Sequence, residues 1–88
     1  MQAALNHFAS PRFWEFYAAL PHTVQLLADS NFELLKKSPR HPSLHFKRIG
    51  QFKSVRVGLH YRALGVSVEN GVVWFWIGTH TDYDRLIS

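Results

Sequence analysis

The sequence contains no cysteine, which excludes a disulfide framework, a thiolate nucleophile and a cysteine-based zinc site. The amino-terminal stretch MQAALNHFASPRF lacks the basic start and long apolar segment of a signal peptide. No run approaches the roughly 18 apolar residues that a membrane-spanning helix requires. These absences favour a protein of the reducing cytoplasm with no membrane partner.

Acidic residues are also scarce. The chain has 10 Lys and Arg against 6 Asp and Glu, and no acidic residue lies between positions 36 and 62. That segment holds eight cations: Lys36, Lys37, Arg40, Lys47, Arg48, Lys53, Arg56 and Arg62. A basic segment of this density predicts a polyanionic partner, either a nucleic acid or an acidic protein segment.

The chain is short but rich in large apolar side chains. Its 88 residues leave room for one core, so residues 1–88 are expected to form a single domain. Three Trp, three Tyr and seven Phe supply the bulky groups that so small a core needs.

Two helices are predicted in the first half. Ser10-Pro11 marks a helix start, because Ser caps the helix and Pro loses no hydrogen bond at the first position. Apolar residues then recur at helical spacing up to Pro21, which ends this helix and can open the next. The second pattern closes with Lys36-Lys37, cations that suit the carboxyl end of a helix. The expected arrangement is an antiparallel helical hairpin.

The second half changes to the period of two that is typical of strands. From Ser54 an alternating strand is predicted, which bends at Gly65 and leads to an Asn-Gly hairpin turn at 70–71. Its two faces are Val55, Val57, Leu59, Tyr61 and Ala63 on one side, and Arg56, Gly58, His60 and Arg62 on the other. The predicted fold class is α+β, an N-terminal helical hairpin packed on a small twisted antiparallel sheet, with a last helical turn within 81–88.

The return strand, VVWFWIGTH (72–80), is apolar on both faces and therefore belongs in the middle of the sheet. Alternation predicts Val72, Trp74 and Trp76 on one face and Val73, Phe75 and Ile77 on the other. Without a bulge, His80 lies opposite residue 61, within reach of His60 and Arg62. The sequence thus predicts one water-facing patch that holds Arg56, His60, Arg62 and His80.

Such a patch suits phosphate chemistry. Arginine donates in a fork that matches phosphate oxygens, and imidazoles transfer protons, so the patch could bind phosphate or cleave RNA without a metal. The few carboxylates in this half argue against a two-metal nuclease, and the histidines lack zinc-binding spacing, so no metal or other cofactor is expected. The structural alternatives are a solvated strand face for the arginines, a strand-end hydrogen bond for His80, and packing for Tyr83 and the tryptophans.

Two segments resemble the RelE/ParE superfamily of toxins from type II toxin–antitoxin systems. SVRVGLHYRALG (54–65) is similar to the superfamily's Arg-x-Gly…Tyr-Arg strand pair, and WIGTHTDYDRL (76–86) is similar to its Gly-x-(His/Arg)…Tyr ending. The order of helix, helix and basic sheet agrees with this resemblance from about residue 7 onwards. The resemblance also implies a first edge strand within QAALNHF.

The resemblance implies a cytoplasmic toxin with a cognate antitoxin. One branch of the superfamily cleaves mRNA in the ribosomal A site, another poisons DNA gyrase, and a degenerate member would only bind nucleic acid or a partner protein. Carried over by position, Arg56 and Arg62 would hold the phosphate, and His80 and Tyr83, with His60, would transfer protons. The remaining basic residues of the sheet are expected to form an electrostatic surface for RNA: Lys47, Arg48 and Lys53.

Overall fold

The computed structural model describes residues 6–88 and contains one five-stranded sheet with helices on both faces. Its strands are β1 (Asn6–Ala9), β2 (Lys47–Ile49), β3 (Phe52–Val57), β4 (Tyr61–Val68) and β5 (Gly71–Thr79), and its helices are α1 (Pro11–Ala18), α2 (His22–Lys37) and α3 (His80–Ile87). A short 3-10 helix, Pro42–Leu44, precedes β2. The strand order is β1-β5-β4-β3-β2. The predicted α+β class is confirmed, with one refinement: the sheet is mixed, because β1 runs parallel to β5.

The first helix of the hairpin begins, and the second follows it, at the residues that the capping and proline patterns predict. The Ser10 side chain accepts a hydrogen bond from the Phe13 backbone N–H at 3.2 Å, and Pro11 occupies the first turn of α1. Pro21 separates the two helices, and Lys36 and Lys37 lie in the last turn of α2. These caps depend only on neighbouring residues, which is why sequence alone predicts them.

The hairpin covers one face of the sheet and α3 covers part of the other. Beneath the hairpin lies a core cluster of Leu35, Leu44, Val55, Val57, Ala63, Val72, Trp74 and Ile77. On the α3 face a smaller cluster consists of Leu64, Trp76 and Tyr83, and the residues packed around it are Phe16 of α1, Ile49, Phe52, Phe75 and Ile87. None of the helices in residues 6–88 combines the length and apolar character that crossing a membrane requires.

The single strand predicted from Ser54 is wrong, because the chain turns back between β3 and β4. Gly58 has a φ of +66°, a left-handed conformation that glycine adopts without strain. Leu59, predicted to face the core, lies at the tip of this turn and is 73% exposed. Val57 pairs with Tyr61 across the turn, so the alternation continues from one strand to the next and hides the break.

The prediction that Trp74 and Trp76 share a face is also wrong, because β5 contains a bulge. Leu64 pairs with Trp76 and Gly65 with Trp74, so Phe75 is an extra residue on β5. A side chain at Gly65 would lie within 3.0 Å of Val72 and Trp74, so glycine leaves the space that these two residues fill. Trp74 therefore packs under the hairpin, and Trp76 packs against α3.

Two other turn and strand predictions are confirmed. The Asn-Gly turn joins β4 to β5, with Val68 paired to Gly71. The edge strand implied within QAALNHF is present as β1, which pairs with Gly71 to Trp74 of β5. The part of that segment before Asn6 lies outside the described residues.

His7 connects the edge strand to the core. Trp74 Nε1 donates a hydrogen bond to His7 Nδ1 at 3.1 Å, and the two rings stack with centroids 6.2 Å apart. Burial lowers the pKa of His7, and the positive charge of Lys36 lowers it further. The folded protein therefore favours neutral His7, which can accept this hydrogen bond.

We expect the stability of the protein to decrease on acidification through His7. The unfolded chain binds the proton with the ordinary pKa of about 6.5. The stabilising contribution of neutral His7 is therefore complete above that pH, and it is lost as the pH falls through the lowered pKa of His7 in the folded protein. Urea unfolding at pH 8 and pH 5 should show a larger loss for the wild type than for His7→Gln, which keeps an acceptor but does not titrate. Equal losses would contradict this prediction.

Candidate functional site

Two arginines lie side by side on the α3 face of the sheet. Arg56 of β3 pairs directly with Arg62 of β4, and Arg62 in turn pairs with Gly78 of β5. Like charges at directly opposite positions of a sheet destabilise it. Such a pair is a candidate site for an anion, since an anion would relieve the repulsion and accept forked hydrogen bonds.

The local environment strengthens this assignment. Arg56 Nε is buried and has no hydrogen-bond partner within the described part of the chain. Arg62 donates one hydrogen bond to the Tyr61 carbonyl at 2.9 Å. Burial lowers the pKa of Arg62, the charge of Arg56 lowers it further, and the charges of Tyr83 and Asp84 act in the opposite direction. The pair therefore has donor capacity and positive charge that the protein itself does not fully use.

His80 begins α3 beside this pair. Its backbone N–H donates to the His60 carbonyl at 2.8 Å, which extends the β4–β5 pairing by one residue. The bulge shifts the register, so His80 lies opposite residue 60 rather than the predicted residue 61. The His80 side chain is 48% exposed, and its ring centroid lies 6.1 Å from that of Tyr83. His80 is therefore accessible to a bound substrate.

The other two predicted proton-transfer residues differ in their surroundings. His60 lies in the β3–β4 turn and is exposed; its backbone carbonyl, rather than its imidazole, makes the contact with His80. Tyr83 is only 4% exposed and packs with Leu64 and Trp76. Tyr83 is the fourth residue of α3 and packs on the face of the sheet that carries the arginine pair.

The predicted electrostatic residues divide between the two faces. Lys47 pairs with Ser54, on the parity of Arg56, and so lies on the arginine face. Arg48 and Lys53 pair with each other on the opposite parity. Arg48 donates to the Gly50 carbonyl at 2.9 Å, and Lys53 Nζ lies 6.0 Å from the centroid of the Phe46 ring.

One residue of the site has no counterpart among the predicted ones. Asp84 Oδ1 lies 3.4 Å from His80 Nε2, one helical turn along α3. The signal was present in the sequence, since His80 and Asp84 have the i, i+4 spacing that brings side chains together on a helix. It was hidden because the last helix was expected to start after His80.

An apolar cavity of about 230 Å³ lies on the other side of the sheet, between β1, the hairpin and the sheet. Trp14 and Phe32 line it together with Phe8 of β1, and all three are exposed. Sequence periodicity predicts apolar helix faces but not a gap between them, which depends on how closely the helices approach the sheet. Its lining is mainly aromatic and aliphatic and includes the titratable residues His7, Tyr17 and Asp29, whereas the arginine pair lies on the opposite face of the sheet.

Removal of one arginine should raise the stability of the protein and weaken its response to an added anion. Arg56→Met keeps the aliphatic stem and removes the like charge opposite Arg62, so the free energy of unfolding in low salt should rise by up to about 1 kcal/mol. At equal ionic strength, sulfate should then stabilise the wild type more than this variant, because it binds the arginine pair. Lys53→Met, on the other face of β3, should respond to sulfate as the wild type does. An equal response of Arg56→Met and the wild type would contradict an anion site at the pair.

Comparison with known proteins agrees with the predicted fold. No protein-family model and no curated protein matches the sequence. Among solved structures, the chain is similar to a RelB–RelE antitoxin–toxin complex of Methanococcus jannaschii, with a TM-score of 0.70, 13% identity, and coverage of 92% of this chain and 99% of that chain. The chain is also similar to a double arginine-to-alanine mutant of Escherichia coli RelE in the free state, with a TM-score of 0.67, 13% identity, and coverage of 97% of this chain and 94% of that chain. For the RelBE2 toxin–antitoxin complex of Mycobacterium tuberculosis the TM-score is 0.64 at 17% identity, and the match covers 89% of this chain and 100% of that chain. The chain therefore has the fold of RelE toxins over nearly its whole length.

Proposed function

We propose that this protein is the toxin of a type II toxin–antitoxin pair and cleaves mRNA on the ribosome without a metal. The observation that carries the proposal is the Arg56–Arg62 pair on the α3 face, next to His80 at the start of α3. The RelE-like fold supports it, since the sequence resemblance implies the same activity. The expected compartment is the cytoplasm.

The chemistry requires a cation for the scissile phosphate and two proton transfers. In metal-free cleavage the 2′-oxygen attacks phosphorus, the bond to the 5′-oxygen breaks, and a 2′,3′-cyclic phosphate forms. Arg56 and Arg62 hold the non-bridging oxygens and stabilise the charge that develops on them. His80, which is accessible, takes the proton of the 2′-hydroxyl. Tyr83 is proposed to donate its phenolic proton to the leaving 5′-oxygen, and His60 lies in the β3–β4 turn at the same end of the sheet.

The basic residues around the pair extend the site along the RNA backbone. Lys47 shares the arginine face, and its charge suits a phosphate next to the scissile one. Arg48 and Lys53 lie on the other parity and are proposed to contact the ribosome or more distant RNA. Contacts of this kind strengthen binding without reading sequence.

Cleavage can be tested directly by inducing the protein in cells and mapping mRNA ends. Cuts in phase with codons would support the proposal. Intact message together with DNA whose supercoiling is arrested would instead indicate gyrase inhibition. A normal growth rate would indicate a member that only binds nucleic acid or a partner.

Within the proposed reaction, Arg56→Ala and Arg62→Ala should each lower the rate of cleavage on programmed ribosomes by at least about 100-fold, because each removes a group that stabilises transition-state charge. Lys53→Ala is the matched control: it removes a cation from the same strand but from the opposite face, and should change the rate by less than about threefold. Thermal unfolding of each variant would verify that the fold is intact. Comparable losses in all three variants would show that overall charge, and not the pair, supports the reaction.

The partner proposed for the hairpin face is the cognate antitoxin. Two of the similar structures are complexes of a RelE with a RelB antitoxin. In this chain the apolar cavity and the exposed rings of Phe8, Trp14 and Phe32 form an aromatic surface, of the kind that marks a protein interface. An apolar segment of the antitoxin would fill the cavity and bury these rings.

Trp14→Asp should weaken binding to the cognate antitoxin by about tenfold or more, because a Trp that becomes buried at an interface is a typical hot spot. Leu26→Asp is the control: Leu26 is 53% exposed against 54% for Trp14, but does not line the cavity. Titration calorimetry with the purified antitoxin would measure both. Equal effects of the two substitutions would remove the cavity from the interface.

A further inference from the structure

The two aspartates of α3 have different partners. Asp82 Oδ1 lies 3.6 Å from Arg85 NH1, so its carboxylate is paired with a residue of its own helix. Asp84 Oδ1 instead lies 3.4 Å from His80 Nε2. Asp84 is also close enough to Arg62 for its charge to affect that arginine. Of these two carboxylates, Asp84 therefore belongs to the candidate site.

The backbone of His80 is held by hydrogen bonds, whereas its side chain is about half exposed. The hydrogen bond from its N–H to the His60 carbonyl and the Thr79 cap of α3 fix where the residue stands. The imidazole is 48% exposed, and Asp84 is the carboxylate that approaches it. The direction of the ring thus depends on this one side-chain contact and on packing against the Tyr83 ring at 6.1 Å.

A carboxylate in this position gives an imidazole a defined role. With the Asp84 carboxylate beside Nε2, the tautomer that carries its proton on Nε2 is favoured, and Nδ1 keeps a lone pair that can accept a proton from a substrate hydroxyl. The imidazolium formed in that step is then stabilised by the carboxylate, as in hydrolases that place an Asp behind a His.

We propose that Asp84 is a positioning residue that orients His80 for proton transfer at the arginine pair. The inference rests on the proposed ribonuclease function for its consequence, but its geometry stands independently of that function. Asp84 does not touch the reacting atoms; it acts through His80. In this role the Asp84 carboxylate contacts the imidazole of His80 but does not contact the phosphate, which is bound by the arginine pair.

The kinetic test compares Asp84→Ala with Asp82→Ala on programmed ribosomes. Asp84→Ala should lower kcat by about tenfold or more, within the range typical of residues that orient a functional imidazole, and leave KM within twofold. Asp82→Ala removes the first-turn carboxylate and the Arg85 pair, so it weakens α3 at least as much but should leave kcat within twofold. Asp84→Glu, which retains a carboxylate, should recover part of the loss. A wild-type kcat for Asp84→Ala, or equal losses in the two alanine variants, would overturn the inference.

A second measurement does not depend on cleavage. Three-bond couplings to His80 Cγ, measured by NMR on the full chain, report whether its χ1 angle populates one rotamer or several. We expect one dominant rotamer in the wild type and in Asp82→Ala, and averaging in Asp84→Ala. An unchanged rotamer in Asp84→Ala would overturn the inference, whereas a wild type that fails to cleave message would overturn only the proposed function.

Discussion

The bulge at Phe75 is the constraint on which both faces of the sheet depend. By adding one residue to β5 opposite Gly65, it directs Trp74 toward the helical hairpin and Trp76 toward α3. Each tryptophan then anchors a helical layer, and large buried aromatics contribute several kcal/mol each in cores of this kind. A strand without the bulge would present both tryptophan rings to one face and leave the smaller Phe75 and Ile77 for the other.

The same register shift determines where the candidate site lies. The packing of Trp76 against Tyr83 holds α3 on the face that carries the arginine pair. His80, the first residue of α3, therefore lies beside that pair. The arginine pair opposes folding, because like charges meet across two strands and one buried Nε has no partner. Functional sites often retain such unfavourable features, and here the surrounding aromatic packing offsets them. The aromatic cavity lies on the opposite face, so the proposed antitoxin surface and the arginine pair are separated by the sheet.

Much of the architecture follows from short-range signals. Helix and turn boundaries were predicted correctly at Ser10-Pro11, Pro21 and Asn70-Gly71. Val55 and Val57 were also assigned to the correct face, although the strand that contains them was predicted to be too long. The turn at Gly58 escaped detection because it preserves the alternation on either side of it. Of the site, the arginine pair was predicted on one face for partly the wrong reason: the two residues face each other across a hairpin instead of following one another along one strand. Asp84 and the hairpin cavity were not predicted, since each depends on an element boundary or a spacing between layers.

By itself, the sequence determined the features that depend on neighbouring residues: the caps of α1 and α2, the tight turn before β5, the concentration of cations between 36 and 62, and the lack of thiols. Tertiary structure decided which tryptophan lies under which helix, which cations share a face, and which carboxylate meets His80. The physical reason is that a single inserted residue reverses every later side chain of a strand. Whether that insertion occurs is settled by the packing of Val72 and Trp74 over Gly65, residues of two different strands that local propensity does not connect.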